Sequence, residues 1–206
     1  KYIIESRRVL FEGDGYSKEW QKEAAKRKLT SNPSVPESLK AYLTPRARKV
    51  LTTVGVLSEK EIESRVEVEY EKFTKKVQIE SRILADIAMN HIVPIGIKYM
   101  TSLIENVKGI NDIYEGNECE KLSSISKSMI IEIADHISNV ERMVTDMVEE
   151  RKKANVMEST YDKAIAYEKN VKPYLDSIRY HIDKLELIVD NEIWPLPKYR
   201  ELLFIR

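Results

Sequence analysis

From Ser58 onward, apolar side chains recur at helical intervals. Ile62, Val66, Tyr70, Phe73, Val77, Leu84, Ile87 and Ile95 follow one another at steps built from threes and fours, which places them on one face of a helix. The start of that helix is marked: Ser58 and Glu61 have the spacing of a capping box, and Leu57 and Ile62 stand at the two positions of a hydrophobic staple. The pattern runs to about Lys108. Pro94 interrupts it and predicts a kink rather than an end, because an internal proline removes one ladder bond while the periodicity continues beyond it. Gly109 and Gly116 then act as stops. A second long helix is predicted from about Cys119 to Lys153, with Leu122, Ile125, Met129, Ile133, Val140, Val144 and Met147 on its stripe. A third runs from about Glu158 to Val189, with Val171, Leu175, Ile178, Ile182, Leu185 and Val189 in register and Pro173 placed to bend it.

The chain before Ser58 reads as short pieces. Gly13 and Gly15 make a turn, Ser17 can cap the helix that follows, and Pro36 and Pro45 suit first helical turns, with Thr44 as an N-cap. The expected fold is therefore all-α: a short-helix segment over residues 1–57, then a helical bundle over 58–206. Short connections between long helices favour antiparallel neighbours, so the simplest arrangement of the three is up-down-up.

Composition sharpens this. The 206 residues include only 6 Gly and 7 Pro, and 33% are charged, which suits long amphipathic helices. Lys and Arg number 34 and so do Asp and Glu, so no net field draws the chain to nucleic acid or to an anionic membrane. No apolar run approaches the ~20 residues needed to cross a bilayer. The single Cys119 has no partner for an internal disulfide, which fits a reducing compartment such as the cytoplasm. The chain opens on Lys1 rather than Met, and we expect that it is a cut from a longer protein.

Candidate chemistry is sparse. His91 and His136 lie at heights along their helices that differ by about 3 Å at ~1.5 Å per residue, and His181 stands near the same level on the third helix. A three-histidine metal site is the sharpest reading of that layer, and a set of hydrogen-bonded or solvated imidazoles is the simpler one. Glu67, Glu69 and Glu71 alternate with lysines as on a solvated face. Met129, Met143, Met147 and Met157 read as gap-fillers of a bundle core before they read as a binding groove. No Gly-rich phosphate loop is present. The chain ends instead on an unusually apolar tail: Trp194, Pro195, Leu196, Pro197, Tyr199, Leu202, Leu203 and Phe204. Such residues are expected to dock, with Trp194, Leu202, Leu203 and Phe204 as anchors and the two prolines stiffening the segment.

Three stretches together resemble the C-terminal region of type III glutamine synthetases: Arg7 to Arg27 ("RRVLFEGDGYSKEWQKEAAKR"), the long-helix segment Gly55 to Ala88 with "HIVPIGIKY", and the ending "IVDNEIWPLPKYRELLF". The resemblance is loosest over about Ile110 to Met157. It implies a parent that joins ammonia to glutamate with ATP and Mg or Mn, in a large oligomer. Its metal, glutamate and nucleotide sites would lie in a catalytic core before Lys1, so no catalytic residue and no cofactor is expected in this segment. The implied work is structural, with the segment's own catalytic domain and neighbouring subunits as partners. A free-standing adaptor that binds a partner helix is the alternative, followed by a small metalloenzyme built on the histidines.

Overall fold

The computed structural model describes residues 2–203, except the side chains of Ile3, Glu5, Tyr199 and Arg200. Every regular element among the described residues is helical. The chain divides into two compact units, one up to Val66 and one from Glu67.

The first unit holds α1 (Tyr2–Ser6), α2 (Lys18–Lys26), α3 (Val35–Leu39), a 3₁₀ turn (Lys40–Leu43), α4 (Pro45–Thr53) and the start of α5 (Glu59–Ile87). Its helices start where the capping chemistry places them. The Ser17, Ser34 and Thr44 side chains accept from the backbone N–H groups of Trp20, Glu37 and Ala47. At the head of α5 the Glu61 carboxylate accepts from the Ser58 N–H at 2.7 Å, and Ser58 Oγ accepts from the Glu61 N–H at 3.4 Å. The α2 terminus is closed twice. Lys28 adopts φ +56° and its neighbour Leu29 donates to the Ala24 carbonyl, a Schellman closure normally given to glycine. Arg8 donates to the carbonyls of Arg27 and Lys28, both at 2.8 Å, satisfying acceptors the helix leaves open. A left-handed lysine costs about 1–2 kcal/mol, partly offset by the unfolded-chain freedom that glycine would add. Lys28→Gly should therefore stabilise the first unit by about 0.5–1 kcal/mol, read as a higher midpoint in urea unfolding.

The second unit contains the rest of α5, α6 (Val93–Ile113), α7 (Gly116–Asn155), α8 (Thr160–Ala166), α9 (Lys172–Ile188) and the one-turn α10 (Tyr199–Leu202). α6 packs along α7, and α7 along α9. Val77, Ile92, Ile133, Val140, Met147, Tyr167, Ile178 and Leu185 are buried at the centre of one hydrophobic core. Gly96 marks the closest approach of α6 to α7: a Cβ there would stand 2.9 Å from Ile137 Cδ1.

Each internal proline is preceded by a π-turn. Ala88–Ile92 comes just before Pro94, and Tyr167–Val171 just before Pro173. In both, the residue ahead of proline donates five residues back: Val93 to the Ala88 carbonyl and Lys172 to that of Tyr167. Widening the turn moves a carbonyl away from the proline ring, which would otherwise collide with it and leave it without a donor.

Three expectations are corrected. Gly109 does not stop α6, which continues to Ile113, so only Tyr114 and Glu115 connect it to α7. One interior glycine costs about 1 kcal/mol, and half-buried residues on either side of it carry the helix through. Gly116, with φ +62°, opens α7 earlier than the predicted Cys119. The stripe of α7 also fails at its start: Leu122 and Ile125 are exposed and Ser123 is buried. α9 meets α7 at His136 and ends about two turns beyond that level, at Ile188, too soon to cover Ile125 about three turns away. There α7 instead turns small polar groups toward α6, with Ser126 Oγ donating to Asn106 Oδ1 at 3.0 Å and Cys119 Sγ to Asn111 Oδ1 at 2.7 Å.

Candidate functional site

The chemistry of the second unit gathers on the α7–α9 seam. His136 is buried on α7 and His181 half-buried on α9, and their Nδ1 atoms lie 2.8 Å apart. The ring centroids are 5.1 Å apart, longer than the nitrogen separation by about the sum of two ring radii. The nitrogens therefore point straight at each other, as in an N–H···N bond, whereas a chelated metal would need both lone pairs to converge on a third point. His91, the remaining member of the predicted layer, lies in the π-turn Ala88–Ile92 and is exposed. Among the described residues no group of three or more His, Cys, Asp or Glu side chains is placed to hold a metal ion. Burial holds the His181 imidazole below its ordinary pKa, helped by His136 and opposed by Asp135.

The second feature is the tail. Trp194 is buried and joins the core, and Leu196 packs against it half-buried. Pro195 and Pro197 are exposed. Leu202 and Leu203, expected as anchors, are 64% and 78% exposed. The single turn of α10 leaves both outside the chain's own core. Phe204 and the Tyr199 side chain lie outside the described residues.

The residue that fixes the tail beside Trp194 is one that sequence reasoning passed over. Lys198 is buried, and its Nζ donates to the carbonyls of Glu186 at 2.6 Å and Val189 at 3.1 Å. It stands 5.5 Å from the Trp194 ring centroid. The ammonium thus caps the C-terminus of α9, where open carbonyls and the helix dipole concentrate negative potential. Its backbone N–H is held in turn by the Glu201 carboxylate at 3.2 Å. Burial raises the Glu186 carboxyl above its ordinary pKa, and the Lys198 charge opposes that shift.

A third polar group closes the other end of α7. Asn155 Oδ1 accepts from the hydroxyl of fully buried Tyr167 at 2.7 Å and from Gln78 Nε2 at 3.2 Å, tying α5, α7 and the second π-turn together. The remaining candidates are bland. Glu69 pairs with Lys72 and Glu71 with Lys75 on the surface. Met147 is buried, while Met143 and Met157 pack at the rim of the core.

These features define an all-helical region in which buried polar groups join helices to one another. Comparison with known proteins places it: residues 1–111 match the glutamine synthetase C-terminal domain family, and the chain belongs to that family. It is 51% identical over 204 residues to a glutamine synthetase of Bacteroides fragilis (strain YCH46). It is 28% identical over 204 residues to a type-3 glutamine synthetase of Dictyostelium discoideum, and 26% identical over 202 residues to a glutamine synthetase of Butyrivibrio fibrisolvens. The alignments cover 98–99% of this chain and 28% of each relative. No helix among the described residues is long and apolar enough to cross a membrane.

Proposed function

We propose that this chain is the C-terminal accessory and assembly region of a cytoplasmic type III glutamine synthetase, whose parent ligates ammonia to glutamate. The observation that carries this reading is the end-to-end alignment with 28% of a glutamine synthetase at 51% identity. Residues 1–57 would complete the catalytic domain, and 58–206 would form the bundle. ATP and Mg or Mn would be held elsewhere in the parent, and the segment itself would do structural work.

Within the bundle, the Tyr167–Asn155 and His181–His136 contacts pair rising numbers on the third helix with falling numbers on α7. Together with the two-residue link between α6 and α7, this supports the up-down-up arrangement. The partners would be the segment's own catalytic domain and neighbouring subunits of a homo-oligomer. Apolar residues suited to such contacts are exposed: Ile4 and Leu10 in the first unit, and Leu122, Ile125, Leu202 and Leu203 in the second.

The test is made on the full-length enzyme truncated before Ser58. Light scattering should show fewer subunits per particle than in the intact enzyme, and residues 58–206 alone should make no glutamine. An unchanged number of subunits per particle would remove the proposed role.

A further inference from the structure

Two imidazoles that meet head-on through their Nδ1 atoms can share only one proton there. The tautomers follow from the surroundings. Glu132 Oε1 lies 4.0 Å from His136 Nε2 and favours a proton on that nitrogen, so His136 Nδ1 is the acceptor and His181 Nδ1–H the donor. A first added proton goes to His181 Nε2 and leaves the Nδ1–H···Nδ1 bond in place, now charge-assisted. A second must go to His136 Nδ1, where the bond forms. It abolishes that bond and sets two cations face to face.

We infer that the His136–His181 pair is a proton-operated clasp on the α7–α9 seam, closed while one Nδ1 proton is shared and opened when both rings carry charge. The groups around the pair act on it from both helices. On α7, Glu132 and Asp135 favour charge on the rings and Arg142 opposes it. On α9, the Tyr180 ring stands edge-on to His181 with centroids 5.2 Å apart, and Asp176 lines the shallow cleft beside His181. α6, which also packs on α7, meets Ile133 and Ile137 there through Gly96, and the one imidazole of the preceding π-turn, His91, is exposed.

The sign of the pH effect follows from burial. Burial and the facing His136 ring hold His181 below its ordinary value of 6.5, so stability begins to fall as pH drops below about that value, while the bond itself persists through this first step and opens only with the second proton. α9 is the element released, and the Trp194–Lys198 tail is fastened to its end.

The test combines a histidine NMR titration with hydrogen exchange on the full chain between pH 7 and 5. The coupled His136–His181 pair should titrate in two macroscopic steps. Exchange in α9, corrected for its intrinsic pH dependence, should rise by about tenfold for each pKa unit between clasped and free imidazole. His181→Gln, at the half-exposed position, should keep the fold and remove the acid-driven rise. A single common midpoint for both rings, or an equal rise in wild type and H181Q, would overturn the clasp.

Discussion

Trp194→Ala lowers the stability of the second unit by about 3–5 kcal/mol, a drop in melting temperature of roughly 6–20 °C for a chain of this size. The indole is 8% exposed and joins a core shared with α7 and α9, so its removal leaves a cavity. Lys198→Met alone should cost about 1–2 kcal/mol, because the Glu186 and Val189 carbonyls lose a charged donor at a helix end. The double variant discriminates between two accounts. If the tail is one latch, Trp194→Ala already releases it, and adding Lys198→Met changes little more. Additive losses in urea unfolding would mean that the two residues act independently, and a negligible loss from Trp194→Ala would dismiss tail docking altogether.

The latch shows where sequence reading reaches and where it stops. Trp194 was legible because a buried aromatic near a chain end has few other uses. Lys198 was not, since a lysine in a charged sequence reads as solvated surface. Its burial depends on carbonyls that only become available once α9 ends, at Glu186 and Val189. The stripe of α5 divides in the same way. Ile62, Val66, Tyr70 and Val77 are buried as periodicity predicts, yet Thr74 and Ser81 complete the buried face where the pattern shows gaps. Ser81 donates to the Gln78 carbonyl, and Ser123 on α7 to that of Cys119. A short hydroxyl satisfied by its own helix is thus free to enter a core, and no hydropathy pattern registers it. The prolines announced irregularity at the right places, but the choice of a π-turn rests on which carbonyl must avoid the ring. For the candidate site, helix spacing brought His136 and His181 into consideration together, and the side-chain directions that pair these two and leave His91 exposed follow only from packing.

The second large effect is expected at Tyr167, which opens a π-turn and is the largest of the fully buried side chains. Two contributions can be separated. The hydroxyl donates to Asn155 Oδ1 at 2.7 Å, and that oxygen also accepts from Gln78 Nε2, so Tyr167→Phe leaves the acceptor partnered and should cost only about 1 kcal/mol. Tyr167→Ala removes the ring from the junction of α5, α7 and the π-turn and should cost about 3–5 kcal/mol. The order of the two results is the test. If the phenylalanine variant were as unstable as the alanine variant in urea unfolding, the hydrogen-bonded node at Asn155 would dominate, and the elements would be joined chiefly by polar contact rather than by packed area. If the alanine variant lost less than the phenylalanine estimate, Tyr167 would not be a centre of the core, because a fully enclosed aromatic cannot be deleted without a cavity unless its surroundings collapse onto it. Burial raises the Tyr167 phenol above its ordinary pKa, so the hydroxyl keeps its proton and the donor role persists well into the alkaline range.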